Sequence, residues 1–446
     1  GAGVPGTVAG FHEAWRRFGS LPWSALVEPA RRLAADGFVL SHDLADVLAQ
    51  TQPVLSRFAA SKAAYLRADG SAPLAGETLV LPDLAWSLGE IQRQGAEAFY
   101  EGELARRIAA AFEAEGGLIR PDDLAAYRVK ERPVVSVDYR NHTVLSMPLV
   151  SGGGVTLAQM LRALSHFDIG EHYAGSAASL HLLAEVMKRG AANRREYLGD
   201  PEFSDVPVAA YVSEAVARDM AEAIDPTRAT PRDEVMPSDL TAFTDAAESE
   251  QTTHFSDMDR HGNAVSNTYT LGYTFGGGWV AEGTGILFDN QMRNFKYSAG
   301  PDHANALRPG QRMVSTMTPT IVLDPAGDVL LVTGTPGGSR IINVILQLLV
   351  GVIDHGLGIA EVTHRPRIHQ DVLSGGKLGV EVGTSPDTVN VLRALGHEVE
   401  WQMTMGSTQS IQRVEGAFHG AADPRRPNAL AAGVDEVAIA VTTGSD

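Results

Sequence analysis

Gln251-Thr252-Thr253-His254-Phe255-Ser256 opens a strand-like run that turns at Arg260-His261-Gly262 and returns from Asn263 to Leu271. Three loop residues ending in Gly suit a hairpin whose Gly takes the left-handed conformation. Centring the loop on His261 pairs Asp259 with Asn263, and counting outward pairs Thr252 with Thr270. Directly opposed residues hold their Cβ atoms about 5 Å apart on one sheet face. Two hydroxyls are therefore expected to meet at the start of the strand. Taken alone, a Thr–Thr pair is also what β-propensity places on any hairpin.

The wording of the segment adds to this. Gln-Thr-Thr-His-Phe-Ser, then Asp-Arg-His-Gly-Asn-Ala-Val-Ser, then Thr-Tyr-Thr-Leu closely resembles the processing site of the γ-glutamyltransferase (γ-glutamyl transpeptidase, glutathione hydrolase) family. The resemblance implies that the Gln251–Thr252 bond is cut autocatalytically and that Thr252 becomes the nucleophile. Thr270 resembles the second threonine, whose hydroxyl orients the first. The chemistry fits. A threonine hydroxyl needs a base to take its proton, and an N-terminal Thr carries that base as its own α-amine. The reference pKa of that amine, about 8, leaves it usable near neutral pH.

Composition sets the outer bounds. A chain of 446 residues can bury a large core as one large domain or as two or three smaller ones. A formal net charge of −18 argues against nucleic acid or an anionic membrane surface as partner, because phosphate binding needs clustered Lys and Arg. The absence of cysteine removes disulfides, thiolate chemistry and Cys-based metal sites. No apolar run reaches the roughly 20 residues of a membrane span. The nearest, Ile341 to Ile353, is interrupted by Asn343 and Gln347 and reads as a buried helix.

Pro5-Gly6-Thr7-Val8-Ala9-Gly10-Phe11 matches an internal segment of the family, whose members have further chain upstream carrying a core strand and an arginine for the substrate α-carboxylate. From Phe11 to Tyr127 the pattern is helical, with apolar periodicity over Ser24 to Ala35, Leu44 to Phe58, Leu84 to Phe99 and Leu104 to Phe112. Gly37, Pro53, the Gly70 to Gly76 loop and Gly116-Gly117 are expected to separate these helices, and Pro121-Asp122-Asp123 to open another. Trp15, Trp23 and Trp86 read as core residues. Arg132 to Tyr139 and His142 to Met147 read as strands. The Ser151-Gly152-Gly153-Gly154 run before a helix lacks the Lys-Ser/Thr pair of a phosphate loop and reads as close backbone packing. Asp239 to Glu250 is polar and acidic, as either an ordinary loop or a separable new terminus would be.

Beyond Thr252, Thr320 to Leu323 and Val329 to Thr333 form a second expected hairpin. It runs into Gly334-Thr335-Pro336-Gly337-Gly338-Ser339-Arg340 and an apolar helix. Glycines at a strand-to-helix turn form either a plain turn or an oxyanion hole, in which backbone N–H groups and a helix N-terminus face one point. The wording Thr-Pro-Gly-Gly-Ser-Arg resembles the family's oxyanion segment, which implies that role for Gly337 and Gly338. Ser315-Thr316 resembles the Ser-Ser pair that holds the substrate α-carboxylate, and Gln291 the Gln that contacts its α-amino group. Two positions depart from the family. Asn294 stands where the family has the Asp that pairs with the substrate ammonium, and Gly272 replaces an Asn. Losing that carboxylate removes a bond worth about 1.5–3 kcal/mol and leans the pocket toward glutaryl substrates. The stretch from Phe295 to Ser315 looks shorter than in members with a lid. His254 reads as structural, and Arg-Pro-Arg between His364 and His369 breaks any helical metal spacing.

The resemblance covers Val4 to about Asn428. It implies an α+β fold, the four-layer αββα sandwich of N-terminal-nucleophile hydrolases, as one folding unit made of a large-subunit region 1–251 and a small-subunit region 252–446. The implied activity is transfer of a γ-glutamyl group to water or to an amino acid or peptide. A glutaryl-type (cephalosporin) acylase or an unprocessed non-catalytic relative are the alternatives. No cofactor and no metal are expected. The expected assembly is a heterodimer of the chain's own cleavage products, with further oligomerisation left open and a periplasmic or extracellular location implied by the family.

Overall fold

A computed structural model describes residues 1–238, 252–372 and 376–434. Its described residues fall into two compact units: 1–133 with 252 and 269–314, and 134–238 with 253–268, 315–372 and 376–434.

In the first unit the helical periodicity becomes α1 (Thr7–Phe18), α2 (Trp23–Asp36), α3 (His42–Leu55), α4 (Ala59–Tyr65), α5 (Pro82–Gln94), α6 (Glu97–Tyr100), α7 (Glu103–Ala114) and α8 (Pro121–Ala125). Between them β1 (Phe38–Val39) pairs with β2 (Thr78–Leu79), a contact too short to leave a periodic signal. Two expectations about helix ends need correction. Pro53 lies inside α3, where the helix ends two residues later and its missing N–H costs little of the hydrogen-bond ladder. Gly95, in the left-handed conformation at φ +67°, ends α5 and splits the expected Leu84–Phe99 helix, and a Cβ there would meet the His12 ring at 2.6 Å. Leu104, Ile108, Phe112, Leu124 and Phe288 form the core. Trp23 and Trp86 are half-buried against it, and the Trp15 ring packs tilted against Trp23 with centroids 5.6 Å apart. The three indoles thus pack at the edge of the core, short of full burial.

The second unit begins with β3 (Val135–Tyr139) and β4 (His142–Ser146). They are joined by Arg140 and Asn141 at φ +49° and +65°, the two-residue turn that matches strand twist. Next come α9 (Gly152–Leu164), α10 (Ala177–Tyr197), α11 (Val208–Tyr211), α12 (Glu214–Glu222), β5 (Thr253–Met258) and β6 (Ala264–Tyr269). The remainder is β7 (Thr320–Leu323), β8 (Val329–Gly334), α13 (Arg340–Ile353), α14 (Ile359–His364), β9 (Ile368–Gln370), β10 (Leu378–Glu381), α15 (Pro386–Ala394), β11 (Val399–Gln402), β12 (Gln409–Val414) and β13 (Ala417–Ala422). Six strands form one antiparallel sheet in the order β13-β12-β8-β7-β4-β3.

One face of that sheet packs on helices. Val137, Val144, Val322 and Leu331 cluster with Leu157 and Leu161 of α9 and Ile345 and Leu349 of α13. The glycines that open α9 are buried, and a Cβ on Gly153 would come within 2.3 Å of Thr318 Oγ1. Close packing is therefore their role. In α13 the two polar interruptions serve the backbone of β9: Asn343 Nδ2 donates to Gln370 O at 2.9 Å and Gln347 Nε2 to Ile368 O at 2.8 Å. Among the described residues no helix is long and apolar enough to cross a membrane. Gly334, three residues beyond Leu331 and so on the opposite face, meets His254 of β5. The β5–β6 pair lies against that face, with Ser266 Oγ donating to Thr333 O and Ser256 Oγ to Gln409 O, each at 2.8 Å.

Candidate active site

The hairpin closes as its spacing requires. Asp259 N donates to Asn263 O at 3.0 Å, and Gly262 sits at φ +86°. Asp259 Oδ1 accepts from the amides of His261 and Asn263 at 2.8 and 2.9 Å, which fixes the loop. With that register set, the Thr252 hydroxyl stands 3.5 Å from the Thr270 hydroxyl, which in turn accepts from Gly272 N at 2.9 Å. Both threonines are half-buried. Gln251 and the acidic stretch before it lie outside the described residues.

His254 is buried, with Nδ1 2.8 Å from Thr268 Oγ1 and Nε2 3.0 Å from Ser256 Oγ. Burial lowers its pKa to about 3, so the ring is neutral and both nitrogens are committed. This agrees with a structural role.

A 3-10 turn, Gln291–Asn294, carries the next two candidates. Asp289 Oδ1 accepts from Gln291 N at 2.7 Å and starts the turn. Burial pushes the Asp289 carboxyl up, against the lowering effect of its hydrogen bonds from Gln291 and Gly3. Asn294 Nδ2 donates to Gln291 Oε1 at 3.1 Å, so the two side chains act as a pair. Gly272 sits at φ +90°, and a Cβ there would fall 1.9 Å from Asn290 Oδ1, so a side chain would have to displace the Asn290 amide, which accepts from Tyr273 N at 3.1 Å. Asn290 has no signal in the sequence that marks it. The Arg293 guanidinium stacks 4.1 Å above the Tyr273 ring.

In the second unit Gly337 and Gly338 adopt φ +138° and +58° immediately before α13. Neither amide donates to an acceptor among the described residues. Their carbonyls are held instead. Gly337 O accepts from Arg340 N at 3.1 Å, and Gly338 O accepts from the buried Thr316 hydroxyl at 2.9 Å. Two N–H groups at a helix N-terminus are thus left available to an anion. Ser315 is half-buried, its backbone bridged to Ser151 and its Oγ accepting from Met317 N at 3.2 Å. Residues 405–408 brace the glycine turn, with Ser407 N donating to Thr335 Oγ1 at 2.8 Å. A buried ion-pair network holds that brace. Arg367 donates to Met405 O and Asp423, Thr408 N donates to Asp423, and Arg425 pairs with Glu381 and Asp423. Ser407 and Asp423 therefore serve to hold the fold around the glycine turn.

The histidines divide differently from any metal pattern. His364 is on α14 with Nδ1 bonded to Ala360 O, whereas His369 is in β9 beside Asn343. Sequence reading missed a buried group, His181, Glu185 and His397, whose ligand atoms lie within 4.8 Å of one another. Its carboxylate already accepts from Lys188 at 2.6 Å and Arg189 at 2.8 Å. The two imidazoles bond to each other at 2.8 Å. Two resident cations on the carboxylate oppose a third.

The chain is similar to proteins of known family. The family model described as Gamma-glutamyltranspeptidase matches residues 1–433. A glutathione hydrolase proenzyme of Escherichia coli is 44% identical over 442 residues, covering 97% of this chain and 75% of the relative. One from Pseudomonas aeruginosa is 39% identical over 438 residues, covering 95% and 76%. The crystal structure of a cephalosporin acylase from Bacillus halodurans superposes with a TM-score of 0.84 at 26% identity, covering 98% of this chain and 79% of that one. The fold is the α+β, αββα sandwich of the N-terminal-nucleophile hydrolases, and the chain belongs to the gamma-glutamyltranspeptidase family of enzymes.

Proposed function

We propose that the protein cuts its own Gln251–Thr252 bond and then, with Thr252 as nucleophile, cleaves γ-glutamyl amides of the glutathione type. The observation that carries this reading is the Thr252 hydroxyl 3.5 Å from that of Thr270 at the base of the hairpin. In maturation, Thr252 Oγ adds to the carbonyl carbon of residue 251. The C–N bond breaks, its nitrogen becomes the free α-amine, and water opens the resulting ester to a carboxylate and the restored hydroxyl. In turnover the α-amine takes the Thr252 proton as Oγ attacks the donor carbonyl. Thr270 orients that hydroxyl.

The amides of Gly337 and Gly338 donate to the oxyanion, each worth about 3 kcal/mol in the transition state. The ammonium then gives its proton to the leaving amine. The acyl-enzyme passes its acyl group to water or to an amino acid or peptide amine. Gln291, Asn294, Ser315 and Thr316 receive the amino-acid end of the donor. The products 1–251 and 252–446 stay together as a heterodimer forming one folding unit. In support, each compact unit draws described residues from both sides of the cut. Intact-mass measurement should find two fragments dividing before Thr252. A Thr252→Ala variant should remain one chain without activity; turnover by that variant would end the proposal.

A second reading, a glutaryl-type acylase, draws support from the uncharged Asn294, whose amide donates to Gln291 Oε1. Parallel assays of a γ-glutamyl anilide and a glutaryl anilide separate the two. Asn294→Asp should raise the preference for the γ-glutamyl compound by roughly tenfold or more, since a carboxylate regains a charge-assisted bond to the ammonium. An unchanged ratio would remove Asn294 from the specificity site.

A further inference from the structure

We infer that His254 is a positioning residue, keyed by shape into Gly334 so that the strand joined to Thr252 is held in register against the strand that leads into Gly337 and Gly338. This rests on the proposal that Thr252 is the nucleophile and the two glycines form the oxyanion hole. A Cβ on Gly334 would lie 2.2, 2.3 and 2.7 Å from Cε1, Nδ1 and Nε2 of His254, so the ring occupies the space a side chain at 334 would need. The imidazole is the knob and the missing side chain is the hole.

Hydrogen bonds fix the knob. Ser256 Oγ gives its proton to Gln409 O, so it must accept from His254 Nε2–H. Nδ1 then accepts from the Thr268 hydroxyl across the hairpin. That chain assigns one neutral tautomer, and it ties His254 to both β6 and β12. Gln409 is also the residue paired with Gly334 in the sheet, so shape and hydrogen bonding act on the same point. Thr252 lies two residues before His254, and Gly337 three residues after Gly334. A strand can slip only in steps of about 3.3 Å per residue. Misplacement by 1 Å already costs on the order of 100-fold in rate.

The test uses the complete chain with four variants: His254→Ala, His254→Asn, Gly334→Ala and His254→Ala/Gly334→Ala. The rate of self-cleavage, kcat and KM are measured, with kcat expressed per processed subunit, together with the melting temperature and the pH profile of kcat. His254→Ala should slow self-cleavage and lower kcat by roughly 10- to 100-fold while KM stays within about twofold. His254→Asn, which keeps one donor and one acceptor, should recover part of the loss. Gly334→Ala should be at least as damaging as His254→Ala, and the double variant should return to the level of His254→Ala, because the new methyl enters vacated space. The acid limb of the profile should not move.

An unchanged kcat per processed subunit in His254→Ala would overturn the inference, as would a double variant worse than both singles. A shifted acid limb would also overturn it, by making His254 a titrating base. If Gly334→Ala is insoluble, recovery of soluble protein in the double variant supports the key, and failure to recover it counts against. Activity in Thr252→Ala would instead sink the underlying reading, a result distinct from any of these.

Discussion

Thr316 gives its hydroxyl proton to the carbonyl of Gly338. Holding a substrate α-carboxylate, as proposed above, requires that proton to swing from Gly338 O to the substrate. The hydroxyl's visible effect is to set the peptide plane of the glycine turn. Thr316→Val should lower kcat by about fivefold, the equivalent of one neutral hydrogen bond near 1 kcal/mol, while Thr316→Ser retains activity. Equal kcat in the wild type and Thr316→Val would remove the role. His254 sets a pH dependence of stability. Its folded pKa, about 3, lies below the ordinary 6.5 because of burial. The unfolded chain therefore binds the extra proton between those values, and the contribution is complete above pH 6.5 and lost as pH falls toward 3. The melting temperature should drop across that window, and His254→Asn should flatten the slope by about one proton. His397, also lowered to about 3, first by burial and then by Lys188, adds a second proton in the same direction.

At the level of elements, the glycine turn before α13 is braced from outside its own sequence. Residues 405–408 lean on Thr335, and Arg367, Glu381, Asp423 and Arg425 anchor them through charges buried between β9, β10 and β13. Removing one partner of a buried ion pair leaves the other charge without compensation, which costs about 3–5 kcal/mol. Asp423→Asn should lose about that much in urea denaturation of the processed enzyme. A loss below about 1 kcal/mol, the size of a surface pair, would mean that water already screens Arg367.

For the whole molecule, residues from both sides of the Gln251–Thr252 bond enter each compact unit. If the proposed bond is cut, each fragment supplies only part of each core. Under native conditions size-exclusion chromatography should therefore give one species containing both fragments, separable only by denaturant. Dissociation into two folded proteins at neutral pH would contradict the single folding unit.

The sequence alone determined the hairpin and its register, because side-chain alternation has a period of two and Gly262 marks the turn. That register, by counting, brought Thr252 and Thr270 together. It also determined the apolar α13 and the glycine turn ahead of it, since both are written in contiguous residues. Only tertiary structure decided the rest. Asn290 filling the space beside Gly272, His254 filling that beside Gly334, Thr316 bonding Gly338 and the Arg367–Asp423 anchor join residues 18 to 80 positions apart. Such contacts follow no local period, and each depends on a volume that exists only once two distant segments have packed.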